Sequence, residues 1–319
     1  MIVYEYHYTH YPMEFHCQCQ ESVLDSCIMQ AASFATADEF LDCIQPFLEA
    51  QETINNLILG ISLRMVSSPE WAEFPVYFGA VEKENREIIL AAVMTPPYEI
   101  VLTNSPPMAT EPELQSAVDA LIDNLKDNRW QPPGVNGPKQ ISRRFALSWS
   151  ERNHLPMRVK MEERVYELRK VITPRWSPGF MRLAAPDDLE ILTQWQTSFL
   201  KEALGEYKPE MARRNSARRI ATEEAFIWDD HGPVSMAIKT RPTPHGCTVS
   251  GVYTPPELRG RGYATSCVAA LSQRLLDSGK QFCNLFTDLA NPTSNSIYQK
   301  IGYEPVCDFS VYRFDEAGE

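Results

Sequence analysis

Apolar positions between residues 37 and 66 recur at three- and four-residue steps, with Phe40, Leu41, Ile44, Phe47 and Leu48 leading, which is the spacing of one helix face. Pro46 inside that stretch predicts a kink or break. Residues 75–103 change texture. Short apolar runs around the polar Lys83-Glu84-Asn85-Arg86 turn predict a strand hairpin and a third strand. Leu114, Val118, Leu121, Ile122 and Leu125 form a stripe that predicts a helix over 111–126. PPGVNGP at 132–138 reads as a Pro/Gly loop with Gly134-Val135-Asn136-Gly137 as a turn. A helix over 139–152 and a long alternating strand over 157–171 complete this half.

PRWSPG at 174–179 is the natural linker, and after it the order begins again. A strand near 180–184 leads to a helix start at Pro186-Asp187-Asp188, followed by Leu189, Leu192, Trp195 and Phe199 on one face. A polar helix carrying Arg213, Arg214, Arg218 and Arg219 follows. Strands are predicted at 225–229, 233–240 and 247–254, then a helix at 262–278, a strand at 281–287, a helix at 292–300 and a strand at 303–314. The two halves share one order of elements, which predicts a tandem repeat of a single α/β unit. The expected organisation is a disordered tail over 1–20, a first unit over 21–173 and a second over 179–319.

Composition narrows the class of partner. A chain of 319 residues with 44% hydrophobic positions has enough material for two cores. Its formal charge of -12 argues against a nucleic-acid substrate and against anionic membranes, so any anionic ligand must be captured locally. No run reaches the length of a membrane span, and the N-terminus lacks a basic segment followed by an apolar one, so no membrane association is expected. Eight scattered cysteines, some inside apolar segments like Cys267 and Cys283, read as free thiols in a reducing cytoplasm. His16-Cys17-Gln18-Cys19 has no second ligand pair, so no metal site is assigned.

The segment with the most chemistry is ELRGRGYATS at 257–266. CTVSGVYTPPE before it ends a strand near Thr254, and Ala264, Cys267, Val268, Leu271 and Leu275 after it make an amphipathic helix. Glycines at a strand-to-helix turn let an anion approach the backbone N–H groups and positive dipole of the helix start. A Walker loop would need Gly-Lys-Ser/Thr where Gly262-Tyr263-Ala264 stands, and a dinucleotide fingerprint would need a glycine where Thr265 stands.

Arg259-x-x-Gly262-x-Ala264 resembles the Gln/Arg-x-x-Gly-x-Gly/Ala signature of the GNAT superfamily of acetyl-coenzyme A-dependent acyltransferases. TDLANPTSNSIYQKIGYEPV at 287–306 is similar to the closing segment of that family, and the likeness covers about 179–314. It implies two tandem GNAT-like units of α/β (α+β) class, each a mixed, mainly antiparallel sheet flanked by helices. It also implies an N-acyltransferase that moves an acetyl group from acetyl-CoA to a primary amine by direct attack in a ternary complex. In that reading Val252, Tyr253 and Thr254 pair with the pantetheine arm. Arg259, Gly260, Arg261, Gly262, Tyr263, Ala264 and Thr265 cradle the pyrophosphate, and Asn291 and Asn295 bond the cofactor arm. Tyr298 is the catalytic acid, against a plain reading as a core tyrosine; Asn291 reads equally as a helix cap.

The base for the amine is left among Glu202, Glu206, Asp229, Asp230 and Asp288. In the first half TNSPPMATEPELQ at 103–115 replaces the glycine turn, and its prolines remove N–H donors, so that half reads as a degenerate copy. The acceptor is an unidentified amine, and the chain is expected as a monomer or homodimer, with strand 303–314 free to pair within or between chains. The competing reading is a non-catalytic acyl-CoA-binding sensor or scaffold.

Overall fold

The computed structural model describes residues 29–69, 74–104 and 109–315. The expected tail and His16-Cys17-Gln18-Cys19 lie outside them. The first half runs β1 (Met29–Phe34), α1 (Ala37–Glu49), α2 (Glu52–Ser67), β2 (Tyr77–Lys83), β3 (Ile88–Met94), β4 (Ile100–Asn104), α3 (Glu111–Asp127), β5 (Gly134–Pro138), α4 (Lys139–Asn153) and β6 (Met157–Leu168). The second repeats it: β7 (Phe180–Leu183), α5 (Leu189–Leu204), α6 (Pro209–Ala221), β8 (Ala225–Asp229), β9 (Pro233–Thr240), β10 (Gly246–Tyr253), α7 (Tyr263–Asp277), β11 (Phe282–Asp288), α8 (Pro292–Lys300) and β12 (Glu304–Phe314). The predicted repeat is therefore present element for element.

Among the described residues the strands form one twelve-stranded sheet in the order β1-β2-β3-β4-β5-β12-β6-β11-β10-β9-β8-β7. Only β4–β5 and β10–β11 are parallel. The last strands of the two halves are exchanged. β6 pairs with β11 from Cys283↔Leu168 to Asp288↔Glu163, while β12 pairs with β5 from Phe309↔Pro138 to Arg313↔Gly134. The exchanged strands then pair with each other from Glu304↔Glu167 to Phe314↔Met157, so the strand expected at 303–314 is central and pairs within the chain.

Alternation along the strands sends side chains to two faces. Phe78, Ala80 and Val93 pack under α1 and α2, while Tyr77, Val81 and Leu90 pack under α3 and α4. In the second half Ile227 and Met236 pack with Leu192 and Trp195 of α5, and Phe226 and Ala237 pack under α7. Helix α2 also reaches across to the second half. The buried Glu52 at its start accepts hydrogen bonds from Thr243, from His245 N (2.9 Å) and from Gly246 N (3.0 Å). Burial alone would raise this carboxyl, but those donors outweigh it and hold Glu52 below the usual carboxylate range.

Two local expectations are corrected, and one strand is added. The helical break falls at residues 50–51, and Pro46 lies inside α1. Residues 134–137 are not a turn but the strand β5, paired parallel with β4 and antiparallel with β12. Their glycines serve close backbone approach: a Cβ on Gly134 would stand 2.2 Å from the Tyr312 carbonyl oxygen, and one on Gly137 2.7 Å from that of Leu102. β1, a short edge strand with only partial burial, has no matching expectation.

Because each half completes the other's sheet, fragments 1–173 and 174–319 should each fail to give native near-ultraviolet circular dichroism when expressed alone, and should regain it when co-expressed. A folded, monomeric 174–319 fragment would contradict the exchange.

Candidate functional site

β10 and β11 run parallel only from Gly246↔Phe282 to Thr248↔Asn284, and then part. β10 also shifts register against β9 between Ser250 and Tyr253, where Gly251 has φ +55°. That bulge turns the end of the strand, so a gap opens between Ser250–Tyr253 and Leu285–Asp288. The chain beyond Tyr253 makes a one-turn 3-10 segment at Pro256–Leu258 and reaches Gly260 and Gly262, with φ of +77° and +80°. Such angles belong to glycine. A Cβ on Gly260 would meet nothing within 4 Å, so open space lies in front of the turn.

Gly262 is the N-cap of α7, which has neither a side-chain cap nor an acidic residue in its first turn. α3, its counterpart in the first half, is the reverse. Thr110 and Glu113 close a capping box over it, Glu111 and Glu113 add negative charge, and a proline occupies its first turn. The start of α7 therefore attracts an anion, and the start of α3 repels one. The linker braces the α7 turn: Ser177 N donates to Ser266 Oγ (2.9 Å), Ser177 Oγ donates to Arg261 O (2.8 Å), and Trp176 stacks on Trp228.

The turn brings residues 252–254 and 259–265 together, but several side chains have other work. Arg259 folds back, donating from Nε to Thr254 O (2.9 Å), pairing with Glu202 (2.7 Å) and lying over the Tyr253 ring. The exposed Arg261 reaches the Glu257 carbonyl at 3.4 Å. Tyr263 donates to Asp230 (2.7 Å). Ala264 and Thr265 are half-buried in the first turn of α7, and Val252 packs against the cluster that holds Tyr263 and Tyr298. Asn291 caps α8 by accepting from Ser294 N (3.1 Å). Asn295 donates to Asp288 O (3.0 Å) and Asn291 O (2.7 Å) and accepts from the Tyr166 hydroxyl (3.0 Å), so its amide is occupied at both ends.

Tyr298 is buried between Tyr166 and Tyr303, and burial pushes its hydroxyl up to about 12. No hydrogen bond joins that hydroxyl to any of the described residues. The acids named for the base role are engaged elsewhere. Glu202 pairs with Arg259, Glu206 with Lys208 (2.9 Å), Asp229 with Arg182 (2.8 Å), Asp230 accepts from Tyr263, and Asp288 accepts from Ala290 N (2.8 Å).

The structure adds a group that the sequence pattern did not single out. Glu163, on the exchanged strand β6, stands opposite Asp288 at the end of β11. Burial raises its carboxyl to about 7, helped by Asp288 and Glu99 and opposed by Arg241 and Asn136. Arg241 itself is pushed down to about 10 by burial, as is Arg219. Both line a cavity of about 370 Å³ between α2 and α6. A larger cavity of about 670 Å³ lies between α5 and the 3-10 segment, with Tyr253 in its wall. No helix among the described residues is long and apolar enough to cross a membrane.

Comparison with known proteins places this geometry. Residues 231–312 match the family model described as FR47-like protein. No curated protein matches the sequence. A Drosophila protein solved as a structural-genomics target aligns with TM-score 0.61 and 12% identity over 90% of this chain and 98% of its own. A GCN5-related N-acetyltransferase from Sphaerobacter thermophilus aligns with TM-score 0.56 and 14% identity over 89% and 95%. A tandem GNAT protein from the clavulanic acid biosynthesis pathway aligns with TM-score 0.50 and 12% identity over 91% and 99%. At these identities the likeness is one of fold, and the fold is two tandem GNAT-like units, as the resemblance implied.

Glu163 stands above its ordinary value of 4.5, so the folded state holds its proton through a range where the unfolded chain has released it. Its stabilising contribution is present at low pH and lost as pH rises through the folded value near 7. Denaturant unfolding at a series of pH values should show wild type losing stability relative to Glu163→Gln between about pH 5 and 7, with no further divergence above. Parallel curves would contradict the burial of this carboxyl.

Proposed function

We propose that this tandem GNAT-fold protein is an N-acyltransferase that uses acetyl-CoA and a primary amine, with one active unit. The observation that carries the reading is the contrast between the two helix starts: α7 opens on Gly260 and Gly262 with no side-chain cap, and α3 is closed by its capping box. The active unit is residues 179–319 together with β6, and the first half is a copy that has lost the cofactor cradle.

The residues present fit the cofactor. Backbone N–H groups of 260–265 would hold the pyrophosphate, assisted by the helix dipole, where the missing Cβ of Gly260 leaves space. Backbone groups of Val252, Tyr253 and Thr254, on a strand that has parted from β11, are available to the pantetheine arm. Arg261, exposed, is the arginine of the turn placed to add charge, since Arg259 is committed to Glu202. Asn291 and Asn295 shape the α8 start that borders this gap.

Bound acetyl-CoA supplies an acyl thioester whose C–S bond breaks as the amine nitrogen forms its C–N bond. Glu163 accepts the proton that the nitrogen gives up. A carboxyl near 7 is half ionised at neutral pH, which suits that exchange. The Tyr298 hydroxyl, held near 12, stays protonated and donates a hydrogen bond to the departing sulfur. At that value it lies about 3.5 units above a thiol, so stabilisation by the hydrogen bond is favoured over outright transfer.

Calorimetry should give about one acetyl-CoA bound per chain, and Gly260→Asp should abolish it while leaving the fold intact, because aspartate tolerates positive φ better than most residues. Tyr298→Phe should retain binding and slow turnover by about 10- to 1000-fold. With an amine that is turned over, kcat/KM should rise with pH through about 7 as Glu163 ionises, and Glu163→Gln should erase that inflection. Binding without turnover across a broad amine panel would instead favour an acyl-CoA-binding sensor. Binding undisturbed by Gly260→Asp would overturn the cradle.

A further inference from the structure

We infer that the cavity between α2 and α6 is the acceptor pocket, and that it selects small amines carrying a second, anionic group, a carboxylate or a phosphate. This inference rests on the acyl-transfer reading above. The cavity, about 370 Å³, is walled by both halves of the chain, from Gly60 on α2 and Asn136 on β5 to Arg219 on α6 and Arg241 after β9. Its size is at the lower end of the range for small-molecule sites.

The charges around it do not balance. Arg64 (3.3 Å) and Arg218 (2.8 Å) share Glu224. Glu99 is matched by Lys160 (3.0 Å) and Arg313 (3.1 Å). Arg219 and Arg241 remain: their hydrogen-bond partners are neutral, and the nearby carboxylates, Glu224 for Arg219 and Glu163 for Arg241, act on them only through space. Arg219 Nη1 donates to the Gln196 amide oxygen, and Arg219 Nε is buried with no acceptor among the described residues. Arg241 donates from Nε to Asn56 Oδ1 at 3.4 Å and lies over the Phe286 ring. Its backbone sits at φ +44°, an angle unfavourable for a non-glycine residue, with its stem wedged against Gly60. In a protein of net charge -12, two desolvated guanidiniums without carboxylate partners in hydrogen-bond contact create a local demand for an anion.

A second orphan has the opposite character. Asn136 Oδ1 is buried with no donor among the described residues, on a side chain that also touches Glu163. Arg219 and Asn136 thus line one cavity, and each carries a buried polar atom, a donor and an acceptor, with no partner among the described residues. An amine with an acidic group supplies both complements: N–H to Asn136 beside Glu163, and anionic oxygens to Arg219 and Arg241.

The pocket also adjoins the strands that would carry the thioester. Gln196, the partner of Arg219, lies with its Nε2 only 3.3 Å from where a Cβ on Gly251 would stand, at the bulge of β10. Phe286, under Arg241, lies on β11 beyond its last pair with β10.

The test measures binding and turnover of matched amines: β-alanine against propylamine for the carboxylate, and phosphoethanolamine against ethanolamine for the phosphate. Calorimetry on wild-type protein should show one acidic amine of these pairs binding at least ~100-fold more tightly than its neutral partner, and which pair shows it distinguishes carboxylate from phosphate. Arg219→Gln should weaken that amine by about 10- to 100-fold in Kd and KM while leaving acetyl-CoA affinity unchanged, and Arg219→Lys should recover part of the loss. Equal binding of acidic and neutral amines, or a preference that survives Arg219→Gln, would overturn the pocket assignment alone. Should Arg219→Gln not fold, Arg241→Gln carries the same comparison. Acidic amines that bind to a protein unable to bind acetyl-CoA would overturn the acyl-transfer reading, and the acceptor role with it.

Discussion

The antiparallel ladder between β6 and β12 is the contact on which the rest of the molecule depends. It joins the last strand of each half in the middle of the sheet, from Glu304↔Glu167 to Phe314↔Met157. Without it the two sheets would end at β12 and at β6, each paired on one side only, with β5 and with β11. A long strand with an open edge is a poor place to stop, because its outward N–H and C=O groups have no partner in the sheet. Exchange of the terminal strands closes both edges at once and makes one sheet from two repeats.

That exchange also explains how a site in the second half acquires parts from the first. β6 carries Glu163 to the end of β11 and Tyr166 to Asn295 and Tyr298. α2 lies under the same region, holding Thr243, His245 and Gly246 through Glu52 just before β10 begins. The first half starts its α3 on a closed capping box, and it supplies the buried Glu163, a wall of the cavity and the Glu52 clamp.

Most of the element order was legible in the sequence because it rests on short-range patterns. Amphipathic spacing marked α3 and α7, alternation marked β6, and glycine identity marked the α7 turn, all decided by residues within a few positions of one another. What was not legible depended on long-range partners. Gly134-Val135-Asn136-Gly137 has the composition of a turn, and only its neighbours Leu102 and Tyr312 make it a strand. The same applies to the site. Glycine and tyrosine positions could be read from local motifs, whereas Glu163, Arg219 and Arg241 are unremarkable charges until the exchanged strand and two helices from different halves enclose them.

The central claim is that the backbone of one turn, in the second half only, holds the cofactor. Hydrogen–deuterium exchange on the full chain, with and without acetyl-CoA, tests it directly. The account requires new protection at the amides of 252–254 and 260–265, with none at 109–114 at the start of α3. Protection confined to α3, or no change at the start of α7 under saturating acetyl-CoA, would contradict it.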